Sequence, residues 1–351
     1  MGLFSRKKHV RTSEPGAGGA GTGPAAGAAD ETGAPGDSGA GVGVGAGADA
    51  GAGGAVPGSA SEPTTARLTS AGLTTASTPG APGWDVAAGG GSRLVEHRSL
   101  QAALAVWGRQ KDSVTFHDVV RELTAGELLL DIGSSTIADR SVGLQKGDTL
   151  AIAHQVDSAG KRVLLAFTSN DRLARWRGTD DTTSLGQPAA AVVAQAMQDY
   201  EGLALDPGSP ETQFIAYTDE LSPGLGGDVG AVAPLKRALV ERDQPWPEVL
   251  EMLRTSSSIY RAELEHRGDD GTPDGVEVPS ARDAEGRSWS VVHTSPAEVF
   301  TWAPGASAQR VPLSRVAALA LEHGHAGIVV DPRGPSVSIV EHELRAIVAH
   351  D

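Results

Sequence analysis

Two dipeptides place hydroxyls where they could do chemistry. Thr168-Ser169 recurs as Thr294-Ser295, 126 positions later. Each pair stands between a run of strand-forming residues and a helical run. A hydroxyl there could be a nucleophile, or it could help a helix N-terminus hold an anion. A serine nucleophile needs an exposing turn and a base. Neither pair lies in a Gly-x-Ser-x-Gly elbow, and no His recurs in both neighbourhoods. Capping asks for less. Ser295, Pro296 and Glu298 read as a capping box with proline in the first turn, and Ser169 with Asp171 can open the other helix. The ligand-binding candidates are therefore Thr168, Ser169, Arg172, Thr294 and Ser295, holding an anion or a ligand carboxylate. No catalytic residue is assigned.

Other side chains offer less. His323 and His325, with His342, have metal-ligand chemistry, but the first two close a helical stretch, where histidine is at home without a metal. No metal and no other cofactor is expected. Asp180-Asp181 and Asp269-Asp270 read as solvated turns. Asp206-Pro207 and Asp331-Pro332 read as tight turns between strands. Trp176 and Trp302 read as helix anchors on a sheet. If exposed, they become the candidate partner-binding residues.

The frame that positions these residues begins with composition. The chain has 351 residues, no cysteine and a net charge of −15. The missing cysteine excludes disulfides, thiolate nucleophiles and cysteine zinc sites. The acidity disfavours nucleic acid, whose backbone needs clustered cations. The best cluster, Arg172 to Arg177 around Trp176, reads as a solvated helix face. No run of about 18 apolar residues marks a membrane span, and Met1 to Arg6 misses the myristoylation pattern at Arg6. The expectation is a cytoplasmic protein of bacterial type with no stable membrane insertion.

Of the 46 glycines, 24 lie in residues 1–91, where Gly, Ala, Pro, Ser and Thr dominate. Such a segment buries too little apolar area to offset ordering its backbone. Residues 1–92 are predicted to be a disordered Gly/Ala-rich arm. Beyond it, Leu100, Leu104 and Trp107 mark a helix face, as do Phe116, Val119, Val120 and Leu123. Strands are predicted at 127–132, 149–154, 162–167, 202–205 and 213–217, with a hairpin turn at Asp157-Ser158-Ala159-Gly160. Helices are predicted from Asn170 to Trp176 and from about Pro188.

The same order then recurs. Besides the Thr-Ser pairs, Trp176 returns as Trp302 and the Asp157 turn as Asp283 to Gly286, both at 126. Gly202 to Pro207 returns as Gly327 to Pro332 at 125. A duplication follows. The predicted organisation is an arm at 1–92, a first domain at 93–221, a Gly/Pro-rich linker at 222–234 and a second domain at 235–351. The fold class is α/β (α+β), two related mixed-sheet domains in tandem. Their meeting through equivalent surfaces, as a pseudo-dimer with a groove, is the simplest packing.

Phe167-Thr-Ser-Asn-Asp-Arg-Leu-Ala-Arg-Trp176, followed by Gly202-Leu-Ala-Leu-Asp-Pro-Gly208, resembles the N-terminal domain of the SseB family over about residues 95–225. The second copy departs from the pattern, with His293 for Phe167 and Pro332-Arg333 for Pro207-Gly208. The resemblance implies an α/β fold and carries no catalytic residue over. It leaves a binding, regulatory or adaptor protein with a protein partner as the first reading. An anion sensor or enzyme using the Thr-Ser helix N-termini, and a secretion or assembly accessory protein, are the others. If the arm owns no core, a chain lacking residues 12–90 melts within a few degrees of the full chain by circular dichroism. A larger drop would mean that the arm is part of the fold.

Overall fold

A computed structural model describes residues 95–139, 145, 147–227, 229–267 and 271–350, and three short strands before them. These three are Ser5–Arg6 (β1), Thr64–Thr69 (β2) and Val86–Ala87 (β3). β2 pairs antiparallel with a later strand over six residues, from Thr64 opposite His154 to Thr69 opposite Thr149. β1 pairs at Arg282 and Ala281, and β3 at Leu185 and Ser184. The rest of the predicted arm, and Asp269-Asp270, lie outside the described residues.

The first copy runs α1 (Arg98–Arg109), α2 (Ser113–Glu122), β4 (Glu127–Asp131), β5 (Thr149–Val156), β6 (Arg162–Phe167) and α3 (Asn170–Arg177). It continues through β7 (Ser184–Pro188), α4 (Ala189–Asp199), β8 (Gly202–Leu205), β9 (Phe214–Tyr217) and α5 (Thr218–Leu225). β6 is the axis of the sheet. It pairs parallel with β8 on one edge and antiparallel with β5 and β4 on the other. After exposed Arg162 its sequence, Val163-Leu-Leu-Ala-Phe167, is apolar because both faces are covered. Leu164 and Ala166 face the core built by α1, α2 and α4. Val163, Leu165 and Phe167 face the core that holds Leu173 of α3.

The second copy repeats this order with one strand more before its Thr-Ser helix: α6 (Val229–Glu241), α7 (Trp246–Thr255), β10 (Tyr260–Arg267), β11 (Pro273–Glu277), β12 (Ala281–Arg282), β13 (Ser288–Val292) and α8 (Pro296–Trp302). Then follow β14 (Ser307–Arg310), α9 (Leu313–Glu322), β15 (Gly327–Val330), β16 (Val337–Val340) and α10 (Glu341–Ala349). β13 pairs parallel with β15, as β6 does with β8. Tyr260 and His293 bridge at the place of the Leu129–Phe167 pair. β7 and β14 had no apolar alternation to announce them; they belong to the sheet through backbone pairing with β4 and β10.

The structure adds to one expectation and overturns another. Residues 222–234, between the two copies, are mostly helical. α5 runs through Leu225 and α6 starts at Val229, with Val229 and Val232 buried. The helical path is broken at Gly226 and Gly227, whose φ values of 74° and 109° suit only glycine. The Gly and Pro content marked a break of two or three residues, and burial of the flanking apolar residues made the remainder helical.

The copies do not meet through equivalent surfaces. α2 and α5 of the first copy pack on α8 of the second. Ala297 of α8 joins the first copy's core, and the His117 and Phe300 rings lie 4.7 Å apart. The reciprocal packing, α7 and α10 on α3, is not formed among the described residues. The joint is head-to-tail, so the described residues form no pseudo-two-fold groove. Gly224 sits at the crossing; a Cβ there would stand 2.9 Å from Val120 Cγ1 and 3.6 Å from Ala297. Gly224→Leu should overpack this joint and lower stability by about 1–3 kcal/mol in urea unfolding. An unchanged midpoint would mean that the joint is loosely packed.

Candidate functional site

In each copy the chain leaves the central strand, passes the Thr-Ser pair and enters a helix. The loop after the neighbouring parallel strand carries the Asp-Pro pair, and the two loops are clamped together. The Thr168 N–H donates to Asp206 Oδ1 at 2.8 Å, and its hydroxyl donates to Asp206 Oδ2 at 2.7 Å. Thr294 makes the same bonds to Asp331, at 2.9 and 2.6 Å. The Asp206 N–H donates to Ala166 O and the Asp331 N–H to Val292 O, both at 3.0 Å. Asp206 and Asp331 have φ of 46° and 48°, a left-handed conformation costing an L-residue roughly 1–2 kcal/mol. Aspartate tolerates it better than most, and here its folded-back carboxylate takes two hydrogen bonds in exchange.

The threonines are therefore clamp donors. Only the serines cap. Ser169 Oγ accepts from the Arg172 N–H and Ser295 Oγ from the Glu298 N–H, each at a long 3.4 Å. The expected capping box at Ser295 is half made. Glu298 is turned away from the Ser295 N–H and toward Lys236.

Around this shared frame the charges differ. In the first copy Gln101 Nε2 of α1 donates to Thr168 O at 3.4 Å. Arg172, its side chain 22% exposed, stands 3.9 Å from Asp206 and 3.8 Å from Glu211. Burial raises the Asp206 pKa, partly offset by the Thr168 bonds and Arg172. In the second copy α6 sends buried Lys236 to the same place. Its ammonium donates to Asp331 Oδ2 at 2.8 Å and also to Glu298 Oε1. Glu298 occupies the position of Arg172, and Arg121 of α2 reaches it across the joint at 3.8 Å. Arg121 also donates to Arg333 O at 2.7 Å. Burial alone would pull the Lys236 pKa down, but Asp331 and Glu298 overcome it and hold it above the ordinary value. Lys236 thus faces two carboxylates in a sealed site, and Arg121, paired also with Asp118 and Glu122 at 3.2 and 3.1 Å, closes it from the joint.

Trp176 is half-buried against the sheet cluster that holds Leu173. Trp302 is half-buried, with its ring 5.6 Å from that of His293. The arginines of α3 are engaged by acids: Arg175 with Glu211 at 3.1 Å, and Arg177 with Asp131 through Nε at 3.0 Å. His323 and His325 have ring centroids 6.2 Å apart; His323 Nδ1 contacts Leu319 O and His325 Nδ1 contacts Ser290 Oγ. Among the described residues no cluster of three or more His, Asp or Glu could hold a metal, and no helix is long and apolar enough to cross a membrane.

Sequence reasoning found Thr168, Ser169, Arg172, Thr294 and Ser295 but separated them from Asp206 and Asp331, which it read as turns. The near-equal offsets of the Thr and Asp residues were the signal that linked them. Gln101, Arg121 and Lys236 gave no local signal, because their partners lie far away along the chain.

The architecture defines a tandem α/β protein with a clamped strand–helix junction in each copy. The family model for the SseB protein N-terminal domain matches residues 100–217 and again 235–346. The chain belongs to the SseB family. No curated protein and no solved structure matches it.

The two clamps should differ in sensitivity. Asp331→Asn removes half of the negative charge opposite a buried lysine and should cost about 3–5 kcal/mol. Asp206→Asn, with its nearest cation partly exposed, should cost about 1–3 kcal/mol. Urea unfolding of the two variants compares them directly, and equal losses would show that the sealed charges add nothing to the clamp.

Proposed function

We propose that this chain is a non-enzymatic binding or regulatory protein acting on a protein partner, in the cytoplasm and without nucleic acid. The observation that carries this reading is the commitment of all four candidate hydroxyls to structure. Both threonine hydroxyls donate to buried aspartates, and both serine hydroxyls accept from helix N–H groups. A nucleophile would need its hydroxyl free and beside a base. The joint adds support: the chain already uses the outer face of α8 to hold other helices. The equivalent face of α3 carries Arg172 and exposed Arg175, with half-buried Trp176 on the same short helix.

The reading is tested by affinity capture from native lysate with the full chain, alongside an Arg172→Glu, Arg175→Glu double variant. A stoichiometric protein retained by the first and lost by the second is the expected result. If no protein is retained, and inorganic phosphate binds in calorimetry only while Arg172 is intact, the anion-sensor reading replaces it.

A further inference from the structure

His293 directly follows the central strand of the second copy and precedes the clamp. Its N–H and C=O pair with Tyr260, both at 2.8 Å. Its side chain is fully buried, and neither ring nitrogen has a hydrogen-bond partner. Phe167 holds this place in the first copy, where an apolar ring is what the packing asks for. An imidazole there forgoes its hydrogen bonds, and a buried polar group left without partners calls for an explanation.

The groups around it supply one. Lys236 comes from α6, Asp331 from the β15–β16 loop, Glu298 and Trp302 from α8, and Tyr260 from β10. The Tyr260 hydroxyl is turned away, donating to Gly226 O at 2.9 Å. Asp331 already accepts from Thr294 twice and from Lys236. Arg121 is taken up by Asp118 and Glu122 of its own helix at 3.2 and 3.1 Å as well as by Glu298, so the charges that act on His293 are Lys236 and Asp331. A proton on His293 adds a cation beside Lys236; Asp331 attracts it, but its carboxylate is already held by Thr294 and Lys236, and neither ring nitrogen has an acceptor. The element moored by this cluster is α8, through Thr294 at its entrance and Glu298 in its first turn. α8 is also the helix on which α2 and α5 rest.

We propose that His293 makes the mooring of α8 acid-labile, so that its protonation opens the joint between the two copies while the first copy stays folded. Burial holds the His293 pKa down to about 4, against roughly 6.5 for a free imidazole. The sign follows. The open state, with His293 in water, takes up the proton first as pH falls below the free value. The closed form is therefore fully favoured above about pH 6.5 and loses up to about tenfold in population ratio per pH unit down to about 4. His117 at the joint is also pushed down by burial, and burial raises Glu298, so both are rival triggers.

The cysteine-free chain allows a direct test. Gln110→Cys and Gln309→Cys, both exposed and one in each copy, take a donor and an acceptor dye. Energy transfer in the full chain should change between pH 6.5 and 4.5 while the far-ultraviolet circular dichroism keeps the first copy's share. With His293→Phe the change should move at least one pH unit lower; His293→Leu carries the same expectation if the Phe variant fails to fold at pH 8. The proposal is overturned if the His293 variants open at the parent's pH, or if His117→Phe or Glu298→Gln alone abolishes the change. It is also overturned if transfer and total secondary structure are lost together.

Discussion

The aspartate that folds back on the threonine of the neighbouring loop is the constraint on which each copy depends. The strands β6 and β8, or β13 and β15, are parallel neighbours that end at the same edge. Their following loops must part there, one into a helix and one into an antiparallel strand. A single carboxylate holds both loops by accepting an N–H and an O–H from the same threonine. The left-handed backbone at the aspartate is the strain this requires. Proline after it fixes the exit, and the capping serine beside the threonine starts the helix.

Because the clamp buries a carboxylate, each copy has to neutralise it, and the two do so differently. The first leaves its site partly open to water, with Arg172 nearby and neutral Gln101 behind. The second seals its site and needs a full complement of charge, since removing one partner of a buried pair is far more damaging than loss of a surface pair. Lys236 then faces Glu298 and Asp331, and Arg121, shared with Asp118 and Glu122, closes the site. The fourth member comes from the other copy, so the sealed site and the joint are one structure.

This coupling explains why related domains present unrelated surfaces. A head-to-tail contact uses one face of the first domain and a different face of the second, so the equivalent faces are free to diverge. Ala297 keeps α8 small and apolar where α2 and α5 cover it. Asn170, Asp171 and Arg175 make α3 polar where it meets water. Gly224 lets α5 approach α2 and α8 closely; the matching position in α10 is Ile347, buried in its own copy's core.

The amino-acid order by itself determined the duplication, the tandem α/β class, the family and the main helices and strands. Those features follow from local chemistry: apolar periodicity, turn residues and matched spacing. It also identified the Thr-Ser pairs and their serine caps, because capping acts over three residues. Only the tertiary structure joined Thr168 to Asp206 and Thr294 to Asp331, and brought Lys236 and Arg121 to Glu298. These contacts span tens to more than a hundred residues and leave no mark within any short window. The helices within 222–234 were not legible because glycine and proline content is local, whereas burial of Val229 and Val232 is not. The head-to-tail joint was beyond sequence reading for the same reason: which face of a duplicated domain meets its twin is decided by surface residues whose pattern has meaning only once both surfaces exist.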